Sequence, residues 1–133
     1  MIGILLVTHG ELGSGIRSSA ELLVGTVEQV EVLSLTTGQD IRQLKEQAEQ
    51  KLDELDSGDG VLVLVDIPGG SPYNVIAQCI RGRRAECITG VNLSMLVEAI
   101  DSRGQSCLGD LAKACLASGI AGIINVREKL HIA

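Results

Sequence analysis

Two stretches of this chain, Ile2–Val7 ("IGILLV") and Val61–Val65 ("VLVLV"), carry no polar side chain at any position. A strand with one face in water alternates apolar and polar residues, whereas one that is apolar throughout is covered on both faces. Parallel strands between two helix layers meet that demand, because crossover connections carry helices to each side of the sheet. The rest of the 133 residues has to be arranged around these two strands.

It alternates in the way such an arrangement requires. Val30–Leu35 and Ala85–Thr89 read as shorter, less uniform strands nearer the sheet edges. A first helical pattern places Leu12, Ile16, Ala20 and Leu23 on one face, with Gly25 to end it. A second places Ile41, Leu44, Ala48, Leu52 and Leu55 together, with Asp40 as N-cap and Gln43 three residues on, as in a capping box. In "GGSP", Ser71 is expected as N-cap and Pro72 as the first helical residue, ahead of an apolar stripe of Val75, Ile76, Cys79 and Ile80. Asn92 can cap a fourth helix carrying Leu93, Leu96, Val97 and Ile100. A fifth helix is expected around Leu108–Ser118, and "GIINV" (Gly122–Val126) reads as a last strand. The sum is β-α-β-α-β-α-β-α-α-β in a single domain, 1–133, without linker or repeat: an α/β fold, a three-layer α-β-α sandwich with a mostly parallel sheet. The two most apolar strands, the first and third, are expected to be central and adjacent.

Composition narrows the partners. Net charge is −6, and the chain has one Tyr and neither Phe nor Trp, which argues against nucleic acid. The cluster "RGRR" (Arg81–Arg84) reads as a solvated helix end, where cations sit well. No apolar run approaches the roughly 18 residues of a membrane span, and no secretory signal opens the chain, so a cytoplasmic protein without membrane insertion is expected. Cys79, Cys87, Cys107 and Cys115 suit that compartment as free thiols, mostly small core residues. They form no C-x-x-C pair, and only two histidines could join them in a metal site.

In open parallel sheets ligands bind beyond the C-terminal ends of the strands. If the first and third strands are neighbours, Thr8-His9-Gly10 and Asp66-Ile67-Pro68-Gly69-Gly70-Ser71 face one crevice. A neutral imidazole is nucleophilic at one nitrogen when the other holds the proton. A carboxylate that accepts this N–H fixes the tautomer and stabilises positive charge as the ring reacts. The helix opened by "GGSP" offers free backbone N–H groups to an anion. Together these point to phosphoryl transfer through a phosphohistidine, with no metal or cofactor on the protein. A phosphate loop is a weak reading, since G-x-x-x-x-G-K-[ST] is absent, and so is a dinucleotide fingerprint, since Ser18 stands where its third glycine belongs. Taken singly, each residue also has a structural reading: a hydrogen-bonded strand-end histidine, a turn-capping aspartate, a generic loop-to-helix signal.

Three ordered segments, "VTHGELGSGIRSSAELLVG", "LVDIPGGSPYNVIA" and "GVNLSMLVEAI", resemble the enzyme IIA domain of the mannose/fructose/sorbose class of the bacterial phosphoenolpyruvate:sugar phosphotransferase system (PTS). The resemblance spans about residues 1–101. It implies that His9 is the phosphorylated histidine, accepting a phosphoryl group from HPr and passing it to enzyme IIB. It implies that Asp66 hydrogen-bonds this histidine and that Gly69, Gly70 and Ser71 lie beside the phosphoryl group. It further implies a homodimer, strand order 2-1-3-4, and a C-terminal antiparallel strand, possibly exchanged between subunits, a role "GIINV" could fill. Pro68 and Ser94 depart from the family pattern, the first where a large residue is common and the second where proline is usual. His131 matches no motif of the family and reads as terminal and structural. Two other readings share the same histidine chemistry: the phosphotransfer subunit of a phosphoenolpyruvate-dependent dihydroxyacetone kinase, and a regulatory module that senses phosphorylation.

Overall fold

The computed structural model describes residues 1–133. Ten elements follow in order: β1 (Gly3–His9), α1 (Leu12–Val24), β2 (Val30–Leu35), α2 (Ile41–Leu55), β3 (Val61–Val65), α3 (Ser71–Cys79), β4 (Ala85–Ile88), α4 (Leu93–Ser102), α5 (Leu108–Ala121) and α6 (Val126–Lys129). The four strands pair in the order β2-β1-β3-β4, and every pairing is parallel. The two apolar runs are the inner strands, as their composition requires. Ile2, Ile4 and Leu6 with Leu62 and Leu64 form one core, under residues of α1, α4 and α5. Leu5 and Val7 with Val61, Val63 and Val65 form the other, under α2 and α3. Alternate residues of the same strands thus supply both layers.

The caps are local sequence chemistry. Asp40 accepts the Arg42 N–H at 2.9 Å, one residue short of the Gln43 N–H that a capping box would use. Asn92 caps α4 through the Met95 N–H at 3.0 Å, and its amide donates to the Gly119 carbonyl of α5 at 3.1 Å. Gly25 ends α1 at φ 85°. Arg83 donates to the Cys79 carbonyl at 2.7 Å, a cation on the C-terminal end of α3 as expected of the basic cluster.

Several expectations need correcting. Ser71 is the first residue of α3 rather than its cap; Gly70 holds the cap position and Pro72 follows in the first turn. On α1, Leu12 and Leu23 are 47% and 65% exposed, while the buried residues are Gly13 and Ala20. The helix lies so close to the sheet that a Cβ on Gly13 would stand 2.9 Å from Val32 Cγ1, so small residues face inward and the leucines turn out. Ile41 is likewise exposed, at the start of α2. "GIINV" is not a strand: α5 continues to Ala121, and Asn125 then caps the short α6 by accepting the Glu128 N–H. The C-terminal antiparallel strand is therefore absent from the single chain, where local helical bonds satisfy the backbone instead. Cys79 and Cys115 are buried as expected, but Cys87 is half-buried and Cys107 exposed; all four are free thiols. No helix is long and apolar enough to cross a membrane.

At the N-terminal ends of the strands lies Arg103, the residue that follows α4, only 7% exposed. Its guanidinium donates to the carbonyls of Glu28 (2.6 Å), Gln29 (3.3 Å) and Ile2 (3.3 Å). Gln29 has φ 50°, a left-handed conformation that a residue with a side chain holds only when its neighbours fix it. Replacing Arg103 with Met removes three hydrogen bonds to backbone carbonyls, of which that of Gln29 still accepts the Ile4 N–H, and is expected to cost about 1–3 kcal/mol. Denaturant titration checks this; an unchanged midpoint and slope would show that the clamp contributes nothing.

Candidate functional site

β1 and β3 are adjacent and parallel, with Val7 opposite Val65, so the residues that follow them emerge side by side. His9 is the last residue of β1, and Asp66 directly follows β3. His9 Nδ1 lies 2.7 Å from Asp66 Oδ2, and the His9 backbone N–H donates to the same oxygen at 2.8 Å. Asp66 Oδ1 accepts the Ile67 N–H at 2.9 Å. Ring and carboxylate are thus joined by backbone as well as side chain, which leaves the imidazole little freedom of orientation.

The two partners differ in exposure, and the difference has chemical meaning. Asp66's side chain is 8% exposed and His9's is 46%. Burial acts to raise the Asp66 pKa, but the N–H donors from the His9 backbone, the His9 ring and Ile67 outweigh it, and the carboxyl is held below the usual 3.8. An ionised carboxylate beside Nδ1 keeps the ring proton there. Nε2 then carries the lone pair on the exposed side of the ring.

Against that side stands the start of α3. Gly69 turns at φ 83° and Gly70 takes an extended conformation. A Cβ on Gly70 would sit 3.0 Å from His9 Cε1 and 3.5 Å from Nε2, so any side chain here would crowd the ring. The first helical bond runs from the Asn74 N–H to the Gly70 carbonyl. Ahead of it, the N–H groups of Ser71 and Tyr73 have no intrahelical acceptor, and Pro72 has no N–H to satisfy. A negative group on Nε2 would meet this positive helix end. The expected residues His9, Asp66, Gly69, Gly70 and Ser71 therefore share one corner of the fold. Thr8 and Ile67, expected at the same crevice but without a role, supply hydrogen bonds there: the Thr8 hydroxyl accepts the Gly13 N–H at 2.8 Å and the Ile67 N–H donates to Asp66. The His9 side chain itself lies open at the surface.

A carboxyl held below its ordinary pKa adds stability that is complete above that value and is lost as pH falls through the lowered one. The stability advantage of the native chain over Asp66→Asn should therefore shrink once the pH drops below about 3.8. Denaturation of both proteins at successively lower pH measures it, and an advantage that grows on acidification would contradict the stated direction.

Known proteins resemble this chain in sequence and in fold. The family model described as "PTS system fructose IIA component" matches residues 3–116. The mannose-specific EIIAB component of the PTS in Escherichia coli (strain K12) is 32% identical over 130 residues, 96% of this chain and 40% of that protein. The fructose-specific EIIA component of Bacillus subtilis (strain 168) is 32% identical over 112 residues, 84% of this chain and 77% of that protein. The chain thus spans well under half the length of the first of these relatives. Among solved structures, the phosphotransferase system component EIIA from Streptococcus agalactiae is 30% identical, with a TM-score of 0.90 over 96% of this chain and 99% of that one. A PTS IIA protein associated with the fucose utilization operon of Streptococcus pneumoniae is 32% identical, with a TM-score of 0.88 over 96% of this chain and 95% of that one. With a family model covering most of its length and the strand order and ring–carboxylate contact in place, the chain belongs to the PTS fructose IIA component family.

Proposed function

We propose that this protein is a phosphocarrier of a sugar phosphotransferase system, taking a phosphoryl group from HPr on His9 and handing it to an enzyme IIB. The observation that carries the reading is the 2.7 Å contact between His9 Nδ1 and Asp66, which leaves an exposed Nε2 facing the start of α3. In the forward step the Nε2 lone pair attacks phosphorus as the P–N bond to the histidine of phospho-HPr breaks. The Nδ1 proton stays on the ring, and the positive charge that develops there faces the Asp66 carboxylate. Ser71 and the free N–H groups of the first turn of α3 are suited to the equatorial phosphoryl oxygens, where this chemistry needs stabilisation. Transfer to enzyme IIB is the reverse displacement, with IIB supplying the nucleophile. No metal or cofactor enters these steps.

Phosphoenolpyruvate, enzyme I and HPr together should label the native protein, and His9→Ala should not be labelled while keeping its fold by circular dichroism. Labelling retained in that variant would refute the assignment. Asp66→Asn should slow transfer by roughly ten- to a thousandfold without abolishing it, since a neutral amide can hold the ring but not offset its charge. Transfer onward to purified enzyme IIB, rather than to a dihydroxyacetone kinase, separates the sugar pathway from its relative. A label that passes to neither would favour a regulatory module.

The reading extends to a homodimer working in the cytoplasm. β4 is an edge strand, and beside it runs a groove of about 480 Å³ lined by Tyr73, Ile88, Leu116, Ile120 and Ile123 among others. The C-terminal residues Ile123, Ile124, Val126, Leu130 and Ile132 are all exposed. A second copy that received this segment along β4 would cover both apolar surfaces and complete the sheet edge. Sedimentation should show a dimer for the full chain and a monomer after residues 122–133 are removed; an unchanged dimer would place the contact elsewhere.

A further inference from the structure

Thr8 stands where the pattern of β1 calls for an apolar side chain. Ile2, Ile4 and Leu6 precede it on the same face and pack in the core beneath α1, α4 and α5. Thr8 is fully buried, and Arg103 is the only other polar or charged residue buried as a whole. A buried hydroxyl needs a partner, and this one accepts the Gly13 N–H at 2.8 Å. Glu11, the residue just before α1, makes no side-chain cap. The helix is therefore capped from the neighbouring strand, by the residue next to His9.

The surrounding bonds give this cap a consequence for chemistry. Three successive residues are each tied to a different element: Thr8 to α1, the His9 N–H to Asp66 beyond β3, and the Gly10 N–H to the Leu35 carbonyl of β2 at 2.9 Å. Gly10 then turns the chain into α1 at φ 56°. The approach of α1 is already tight, with a Gly13 Cβ position 3.1 Å from Thr8 Oγ1. Without the hydroxyl, the covered Gly13 N–H must find another acceptor, and the first turn of α1 has to move to do so. That movement acts through Gly10 on the backbone of His9.

We infer that Thr8 is a positioning residue for phosphoryl transfer, its hydroxyl holding the start of α1 so that the His9 ring meets Asp66 in the reactive orientation. The inference rests on His9 being the phosphoryl acceptor. Thr8→Val keeps shape and strand propensity while replacing the hydroxyl with a methyl group; Thr8→Ser keeps the hydroxyl. Transfer from phospho-HPr to Thr8→Val should be slower by roughly ten- to hundredfold at saturating donor, as expected for a misplaced reacting group, with KM within about twofold. The hydrogen-bonded Nδ1–H proton resonance of His9 should weaken or shift in Thr8→Val, and Thr8→Ser should restore both rate and resonance. A Thr8→Val protein with native rate and native resonance would overturn the inference, as would a Thr8→Ser protein as slow as Thr8→Val. If Thr8→Val does not fold, Thr8→Ser against Thr8→Ala isolates the hydroxyl in the same way, since both lack the methyl group. If the native protein takes no label on His9, the phosphocarrier reading fails. The resonance comparison still decides whether Thr8 holds the ring.

Discussion

The Asp66 carboxylate gathers three N–H groups, and the geometry of the molecule's working end depends on it. Oδ2 takes both the backbone and ring N–H of His9, and Oδ1 takes that of Ile67. Such an arrangement requires two strands to end together. Parallel neighbours do so; antiparallel ones would bring the end of one beside the start of the other. The pairing of Val7 with Val65 thus sets the distance between two residues remote in sequence. The same donors explain how a nearly covered carboxyl stays ionised, since they oppose the burial that would otherwise protonate it.

Close packing by small residues carries the helices to this junction. Gly13 of α1 rests against Val32 and Thr8, and Gly70 ahead of α3 rests against the imidazole itself. A methyl group at Gly13 would force a shift between helix and sheet, and one at Gly70 would crowd the His9 ring. The consequence for α1 is a departure from the usual amphipathic logic, in which the bulkiest apolar residues face the core: Ile16 and Val24 pack against it, but the leucines do not. Here Ala20 is fully buried and Leu22 is 89% exposed. Depth of approach, rather than apolar volume, sets which face turns inward.

That departure marks the limit of what could be read from the residues. The all-apolar runs identified β1 and β3 because they are short and rich in Val and Ile, which favours a strand covered on both faces over a turn of buried helix. Asp40 and Asn92 announced α2 and α4 through chemistry confined to a few neighbouring residues. The order of the edge strands was not a matter of local pattern and followed only from family resemblance. On α1 the expected face held at Ile16 and Ala20 but not at Leu12 and Leu23, because a glycine's value lies in what it approaches, which no spacing reveals. "GIINV" is a different case: β-branched residues favour a strand only when they are actually paired, and within one chain Gly122 ends α5 and Ile123–Asn125 run without regular structure to α6, leaving the open edge of β4 unpaired. His9 and Asp66 were legible because their positions at the ends of predicted neighbours followed from the fold class. Arg103 was not, since its three carbonyl partners come from strand-end backbone that carries no side-chain signal.

The polar groups are distributed in a way that fits a phosphocarrier. Between its ends the sheet core is entirely apolar, and the two polar residues buried as a whole lie at opposite ends of it. Arg103 ties the N-terminal side through Ile2, Glu28 and Gln29; Thr8 and Asp66 tie the C-terminal side. A strand gripped at both ends cannot slide in register without breaking charge-assisted or buried bonds, and β1 is the strand so gripped. His9 sits at the end of that strand, with its ring in the open. Phosphoryl transfer between proteins asks for this combination: an accessible nitrogen, so that two partners in turn can reach it, on a backbone stiff enough that little reorganisation is left to the reacting complex.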